Sequence, residues 1–397
     1  MKKILFIGAG FLQSFVIETA KSIGYSTYAV DSNPEAIGFQ HTDQYAAIDI
    51  VDKEACLQFA GEHAIDGVMT AATDYGVMTT AYIAAALKLP GLSKNAAITV
   101  KNKFLTRNAL FEVKADDSGP NYEISTAEHI KRVQNQVVYP VMVKPCDGSG
   151  SRGASKVADD AVFESACIEA INSSTTRRAV VEPFIEGIEY GVESFVYNSV
   201  PYVLTVMKKW MTQPPYYAEL GHAIPSGLSE EMENKIINTT KKAITAMGIT
   251  EGAVNMDVLV TAEETVHIVD VGARMGGNLI GSHIVPAGTG YAYMENLIKS
   301  AVGDTISVPH GERGIPVATR LLALTPGIVA ELPDFDCIEA QYDVRILHNL
   351  EVGDKINTYR TNIDGCGYVV TTADSLLRAS EKAAHALNVI DTAIKRI

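Results

Sequence analysis

Tryptophan occurs once in the 397 residues and cysteine five times. The cysteines (Cys56, Cys146, Cys167, Cys337 and Cys366) are scattered, and none forms a C-x-x-C pair. An odd, dispersed set predicts reduced thiols in the cytoplasm rather than a disulfide framework. Basic residues are also short: 33 Lys and Arg stand against 47 Asp and Glu, a net charge of −14. That balance argues against a nucleic-acid backbone as partner, which needs clustered cations, but it leaves room for a local basic pocket. No run reaches the roughly 18 apolar residues of a membrane span. The opening "MKKILFIGAGFL" has the look of a secretion signal, but its apolar stretch is short, carries Gly8 and Gly10, and runs on into Glu18 and Lys21. Internal repeats and low-complexity linkers are missing as well.

What is present reads as folded protein. Hydrophobic residues make up 47% and charged residues 20%, and the length suits two or three domains. "KILFI", "STYAV", "YAAIDI" and "DGVMTA" read as strands, separated by helical segments at 11–23, 52–63 and 75–88. Strands alternating with helices predict a parallel sheet covered on both faces, a Rossmann-like unit over 1–95. "TVKNKFLTRNALFE" reads as one helix, "DDSGPNYEIS" as a loop, and "YPVMVKP" as an apolar strand entering a glycine-rich run. "GLSEEMENKIINTTKKAITAMGI" reads as a long helix with an acidic first turn, which suits its dipole. "EGAVNMDVLVTAEETVHIVDVG" reads as two antiparallel strands joined by a polar turn. A β-rich stretch over 314–371 and a helix over 374–388 close the chain. The fold class is therefore α/β overall, with α+β character in its middle.

Two glycine motifs raise nucleotide readings. "GAGFLQ" carries two of the three glycines of G-x-G-x-x-G, with Gln13 in place of the third and Asp31 ending the second strand. It is open to three readings: an NAD site with Asp31 on a ribose hydroxyl, a plain tight turn, or a substrate or vestigial site. "KPCDGSGSRGAS", residues 144–155, nearly spells a phosphate loop but has Ala154 where the lysine belongs. Lys144 instead precedes the glycines at the end of a strand. From there its ammonium can approach phosphates while Gly148, Ser149, Gly150, Ser151 and Gly153 fold over them as a lid. The plainer alternative is an ordinary Gly-Ser turn.

Downstream, "VVEPFIEGIEYGVES" offers a strand, a short hinge and Glu189, placed to accept from ribose hydroxyls. Its plainer reading is two exposed strand glutamates. Asp257 and Asp270 lie thirteen residues apart inside apolar strands, a costly setting unless each is paired or bound to a cation. Two carboxylates plus phosphate oxygens suit Mg²⁺. Arg274 follows, able to stabilise a transferring phosphoryl group or an oxyanion; its plainer role is an ion pair with Asp270. "YYAELGHAIPSG" adds Glu219 and His222, three apart in a loop, as candidates for substrate contact.

In their order and spacing these residues resemble the ATP-grasp superfamily over nearly the whole chain. The resemblance rests on the Rossmann-like front, Lys103 in "NKFLTR", Lys144 before the glycine loop, the hinge "VEPFIEGIEY" and the acidic strand pair. "ATRLLALTPGIV" and "NLEVGDKI" resemble the small C-terminal domain of biotin-carboxylase-like and purine-biosynthetic members. The resemblance implies a Rossmann-like domain (1–95), an ATP-grasp domain (96–305, with a lid subdomain near 130–190) and a small β-rich C-terminal domain (306–397). It implies that Lys103 and Lys144 bind nucleotide phosphates, that Glu182, Phe184 and Ile185 line an adenine hinge, partly through backbone, and that Glu189 holds the ribose. Asp257 and Asp270 would ligate Mg²⁺ (or Mn²⁺), and Arg274 would meet an acyl phosphate. One departure stands out. Many members read E-x-N-x-R-x-G-G at the last motif, and here Gly272 replaces the asparagine in "DVGARMGG". That variant, with the Glu219 to His222 stretch, resembles the L-amino-acid ligases.

The expected function is an ATP- and Mg²⁺-dependent, ADP-forming ligase that joins a small-molecule carboxylate to an amine. Within the same fold the alternatives are phosphoribosylamine–glycine ligase chemistry and carboxylation through carboxyphosphate. From other classes come an NAD-dependent dehydrogenase and a non-catalytic nucleotide sensor. The resemblance allows a homodimer; no membrane or nucleic-acid partner is expected.

Overall fold

The computed structural model describes residues 1–116, 119–148, 152–213, 216–311 and 314–397. The chain opens on a four-stranded parallel sheet in the order Gln44–Ala47, Ser26–Asp31, Lys3–Ile7, Gly67–Met69. Strand Lys3–Ile7 is central, and Ile4, Leu5, Phe6 and Ile7 are buried on both of its faces, as an apolar run in a covered parallel sheet requires. Its covering helices are Phe11–Ser22, Lys53–Glu62 and Val77–Leu87, within two residues of the sequence reading.

The middle of the chain forms two antiparallel layers. A small sheet takes Tyr122–Ile124, Ala179–Pro183, Val141–Pro145 and Ser155–Val157 in that order. Helices Ala127–Gln134 and Phe163–Ser173 cover it over a core that includes Ile130, Val143, Phe163 and Val181. The hinge 184–187 then leads into the large sheet. That sheet has eight strands, and five of them come from the middle of the chain: Val266–Gly272, Gly252–Val260, Ile188–Tyr197, Val200–Met211 and Glu219–Ile224. The remaining three, Val317–Leu321, Gly367–Thr372 and Arg345–His348, lie in the expected C-terminal region. They continue the same sheet, joined where Ala223 pairs with Ala318 and Ile224 with Val317. Helix Glu230–Ala246 backs the sheet; the Ser229 side chain caps it and Glu230, Glu231 and Glu233 fill its first turn.

Three local expectations need correction. The single helix expected over 99–112 is two helices, Lys94–Lys101 and Lys103–Glu112. Asn102 breaks them: its side chain accepts from the N–H groups of Phe104 and Leu105, and the Lys103 N–H leaves the helix to reach the Cys146 carbonyl at 2.8 Å. The expected loop over 116–125 contains strand Tyr122–Ile124, which forms because the edge of Ala179–Pro183 is there to pair with. Glu219 and His222 lie on a strand, Glu219–Ile224, and not in a loop. The flanking strands on both sides supply backbone partners that a sequence rich in Tyr and Pro does not advertise.

The parallel sheet does not stand apart. One core joins Ile4, Phe6 and Met69 to Met275, Leu279, Tyr293 and Ile298. The loop after Gly67–Met69 is stitched to the end of the large sheet: Ala71 bridges Met275, and the Ala72 N–H donates to the Met275 carbonyl at 3.0 Å.

Candidate active site

The two acidic strands present their carboxylates face to face, since Asp257 and Asp270 are direct cross-strand partners. Each has taken a different lysine. Lys103 Nζ lies 2.5 Å from Asp270 Oδ1. It stands at the first position of its helix because Asn102 stops the preceding one. Burial would raise the Asp270 pKa, but the Lys103 ammonium outweighs it and holds the carboxyl below its ordinary value. Asp257 shares Lys209 with two other carboxylates: Lys209 Nζ is 2.6 Å from Asp257, 2.5 Å from Glu189 and 2.8 Å from Glu219. The Lys209 side chain is 1% exposed. Burial alone would push its ammonium down, but the three carboxylates hold its pKa well above normal. Three acids for one ammonium is still a deficit of positive charge. Burial and repulsion from Glu189 and Glu219 push the Asp257 carboxyl up to about 7, against the pull of Lys209. Burial would also raise Glu219, but Lys209 prevails there and brings it down to about 2.

Lys144 occupies the end of strand Val141–Pro145, as expected, and its Nζ lies 2.7 Å from Glu182 Oε1. The Glu182 side chain is buried between Lys144 and Arg107, whose Nε is 2.6 Å away. These cations overcome its burial and bring it down to about 2. The carboxylate is therefore committed to holding Lys144, and only its backbone can face a nucleotide base. At the hinge, the Phe184 N–H donates to the Pro140 carbonyl at 3.1 Å, and Lys156 lies 3.9 Å from the centre of the Phe184 ring. Ile185 and Glu189 flank the turn into the large sheet. Gly148 lines a small open cleft together with Lys101, Lys103, Asp74 and Asp270. Gly153 has a positive φ of 69°, and an added Cβ would sit 2.6 Å from the Ser173 Cβ, so helix packing as well as the turn requires a glycine. Ser149, Gly150 and Ser151 lie outside the described residues.

Arg274 does not pair with Asp270. Its Nε is 2.8 Å from Asp74 Oδ1 and its Nη2 3.3 Å from Asp74 Oδ2, a two-point contact with a carboxylate carried in from the parallel sheet. Gly272 makes room for that contact. A Cβ at 272 would stand 3.0 Å from the Arg274 Cζ and 3.0 Å from Asp74 Oδ1. The residue that departs from the family pattern is thus the one that lets this ion pair lie across the strand end.

His222 faces the same cluster but is buried to 1% exposure, and burial lowers its pKa to about 4 even with Glu219 nearby. It is a neutral imidazole at neutral pH, and its Nδ1 has no hydrogen-bond partner among the described residues. Glu219 is held from the other side by Asn278 and by Asn362 Nδ2 at 3.1 Å.

Sequence reasoning missed Lys209, Arg107, Asp74, Glu193 and Asn255. Lys209 had a signal. It is the second of two adjacent lysines in the apolar strand "VPYVLTVMKKWM", and strand alternation must send one of them inward.

The donor set suits a hard divalent cation. Asp257 and Asp270 offer opposed carboxylate oxygens, and Asp257 lies in surroundings short of positive charge. Among the described residues no group of three or more His, Cys, Asp or Glu side chains is arranged to hold a metal ion by itself. Phosphate oxygens would have to complete the shell, as is usual for Mg²⁺. The front glycine motif is different. Asp31 accepts from the Ala9 N–H at 2.8 Å and the Asn33 N–H at 2.9 Å. Gln13 folds over the turn, with its Oε1 2.9 Å from where a Gly10 Cβ would lie. The turn is covered by an amide side chain tied to the Ala71 carbonyl.

Comparison with known proteins bears on the fold. Residues 137–282 match the family model described as the ATP-grasp domain. The fold and this match define the class: the chain carries an ATP-grasp domain and has the ATP-grasp fold. In structure it is similar to an L-amino acid ligase from Bacillus licheniformis, at TM-score 0.84 and 23% identity over 100% of this chain and 98% of that one. It is also similar to a phosphoribosylglycinamide synthetase from Anaerococcus prevotii, at TM-score 0.78 and 23% identity over 100% and 99%. At these identities the likeness speaks for the fold. In sequence it is 24% identical to carnosine synthase 1 of Mus musculus over 310 residues, 70% of this chain but only 37% of that protein's length. Among the described residues no helix is long and apolar enough to cross a membrane.

Proposed function

We propose that the protein is an ATP- and Mg²⁺-dependent ligase that activates a carboxylate as its acyl phosphate and couples it to an amine, releasing ADP and phosphate. The observation that carries this reading is the meeting of three groups at one end of the large sheet. These are the opposed Asp257 and Asp270, the phosphate-seeking Lys103 and Lys144 on separate layers, and Arg274 on the strand end. The ATP-grasp fold and the ligases similar to the chain support it.

A bound Mg²⁺ (or Mn²⁺), held by Asp257 and Asp270, would screen the charge of the nucleotide phosphates. Lys103 and Lys144 neutralise phosphate oxygens from two sides, and Glu189 and the hinge at Phe184 and Ile185 hold the ribose and base. In the first step a carboxylate oxygen of the acid attacks the γ-phosphorus and the bond to ADP breaks. Arg274, kept charged by Asp74, meets the transferred phosphoryl group. In the second step the amine attacks the acyl carbon, phosphate leaves with the bonding pair, and the amine loses a proton. The same guanidinium faces the tetrahedral oxyanion. Glu219 and the neutral His222 border the substrate side and orient the acid or the amine.

Release of ADP and phosphate with pools of amino acids and other carboxylates tests this reading. Formation of AMP and pyrophosphate would overturn it. ATP binding with no ADP released for any acid and amine pair would point to a nucleotide sensor.

A further inference from the structure

Glu193 sits in the middle of strand Ile188–Tyr197, wholly buried, in a run where a hydrophobic side chain would serve for packing. Its hydrogen-bond partners are neutral. Oε1 accepts from the Gly276 N–H at 3.0 Å and from the Tyr293 hydroxyl at 2.7 Å, and Oε2 accepts from Asn255 Nδ2 at 2.9 Å. A buried carboxylate with only neutral donors is costly, and burial pushes this one up to about 7. Its partners share one destination. Gly276 lies two residues beyond Arg274 and fits so closely that a Cβ would stand 2.8 Å from Glu193 Oε2. Asn255 accepts at its Oδ1 from Arg274 Nη1, at 3.4 Å. Because the Asn255 amide nitrogen is committed to Glu193, its oxygen has to face the guanidinium.

We infer that Glu193 is a positioning residue for Arg274, acting through the orientation of Asn255 and the seat of Gly276. The guanidinium is then gripped at two edges: by Asp74 from the parallel sheet, and by the Glu193–Asn255 link from the large sheet. The kinetic consequence rests on the reading of Arg274 as the group that meets the phosphoryl and oxyanion charge; the link itself does not.

Glu193→Gln is the informative substitution. Any orientation of the new amide sets an NH₂ against a donor, and with its oxygen kept toward Gly276 and Tyr293 the NH₂ meets the Asn255 nitrogen. Asn255 then turns over and its oxygen leaves Arg274. In ¹⁵N-labelled protein, the Arg274 Nε–H signal, identified by its loss in Arg274→Lys, should shift in Glu193→Gln and exchange with water about tenfold faster. An unchanged signal would overturn the inference whatever reaction the protein performs. If Glu193→Gln does not fold, Asn255→Ser breaks the same link and is read the same way. In turnover, Glu193→Gln should lower kcat about tenfold and leave the ATP KM within about twofold. In the Arg274→Lys background the same change should cost less than about twofold. Equal losses in both backgrounds would show Glu193 acting elsewhere and would overturn the inference. If wild-type protein releases no ADP with any substrate pool, the proposed function fails, and the signal of Arg274 still decides the role of Glu193.

Discussion

The parallel sheet and the large antiparallel sheet both carry motif residues, and the two treat them in opposite ways. In the front sheet the motif is self-satisfied: Asp31 is spent on the backbone of its own turn and Gln13 folds onto it, donating to the Ala71 carbonyl at 2.8 Å. In the large sheet acids outnumber cations, with Glu189, Glu219 and Asp257 sharing the one ammonium of Lys209 among the described residues. A satisfied motif holds a fold together. An unbalanced buried cluster stores an electrostatic demand that a ligand can meet. The proposed chemistry therefore belongs to the second, and the first contributes Asp74 to it.

The contrast can be broken most severely at its centre. Lys209→Met leaves three carboxylates without their ammonium and should destabilise the fold by about 3–5 kcal/mol near neutral pH. Part of that loss should return as the pH falls and Asp257 takes a proton, at a higher pH than in the wild type because the pull of Lys209 is gone, or when Mg²⁺ is added; thermal melts at several pH values would show both. Arg274→Ala should lower the rate of ADP release by about 100- to 1,000-fold, with a smaller loss of stability from the unpaired Asp74, read by coupled assay and calorimetry. Its counterpart in the front sheet, Asp31, should show the reverse balance.

His222 allows a sharper test through pH. Its folded pKa of about 4 lies below its unfolded value. As the pH falls below about 6.5 the unfolded chain binds the proton first. Stability is therefore lost between about 6.5 and 4 and levels off below that. The contribution is about 3 kcal/mol. Denaturant titrations across that window should be visibly flatter for His222→Gln. The smallest effect is expected from Asp31→Asn, about 1 kcal/mol for a weakened turn. ATP and Mg²⁺ binding should stay intact by thermal shift and no NADH binding should appear by fluorescence, whereas the Lys209 and Arg274 changes strike the site itself.

Much of the architecture could be read from local sequence because local physics decides it. Apolar β-branched runs gave the strands, period and capping residues gave the helices, and the costly aspartates in "VNMDVLV" and "HIVDVG" pointed to the acidic pair. The same reasoning, applied to "YGVESFV", would have reached Glu193. Lys144 and Arg274 also stood out, as cations beside glycine runs. Asp74 did not, because nothing in "ATDYG" says that this turn will be stitched to Met275, two hundred residues away. The helix break at Asn102 was hidden too, since it depends on the carbonyl of Cys146 being there to receive the Lys103 N–H.

By itself the sequence determined most of the elements and their order, and which side chains would be expensive to bury alone; strand Tyr122–Ile124, strand Glu219–Ile224 and the helix break at Asn102 waited on tertiary partners. Tertiary structure alone decided how that expense is met: Lys103 on Asp270, Lys144 on Glu182, Lys209 among three acids, Asp74 on Arg274. The cost of taking a charge out of water is a property of the side chain itself. Ion pairing is a property of distance in space, which only the packed sheets fix.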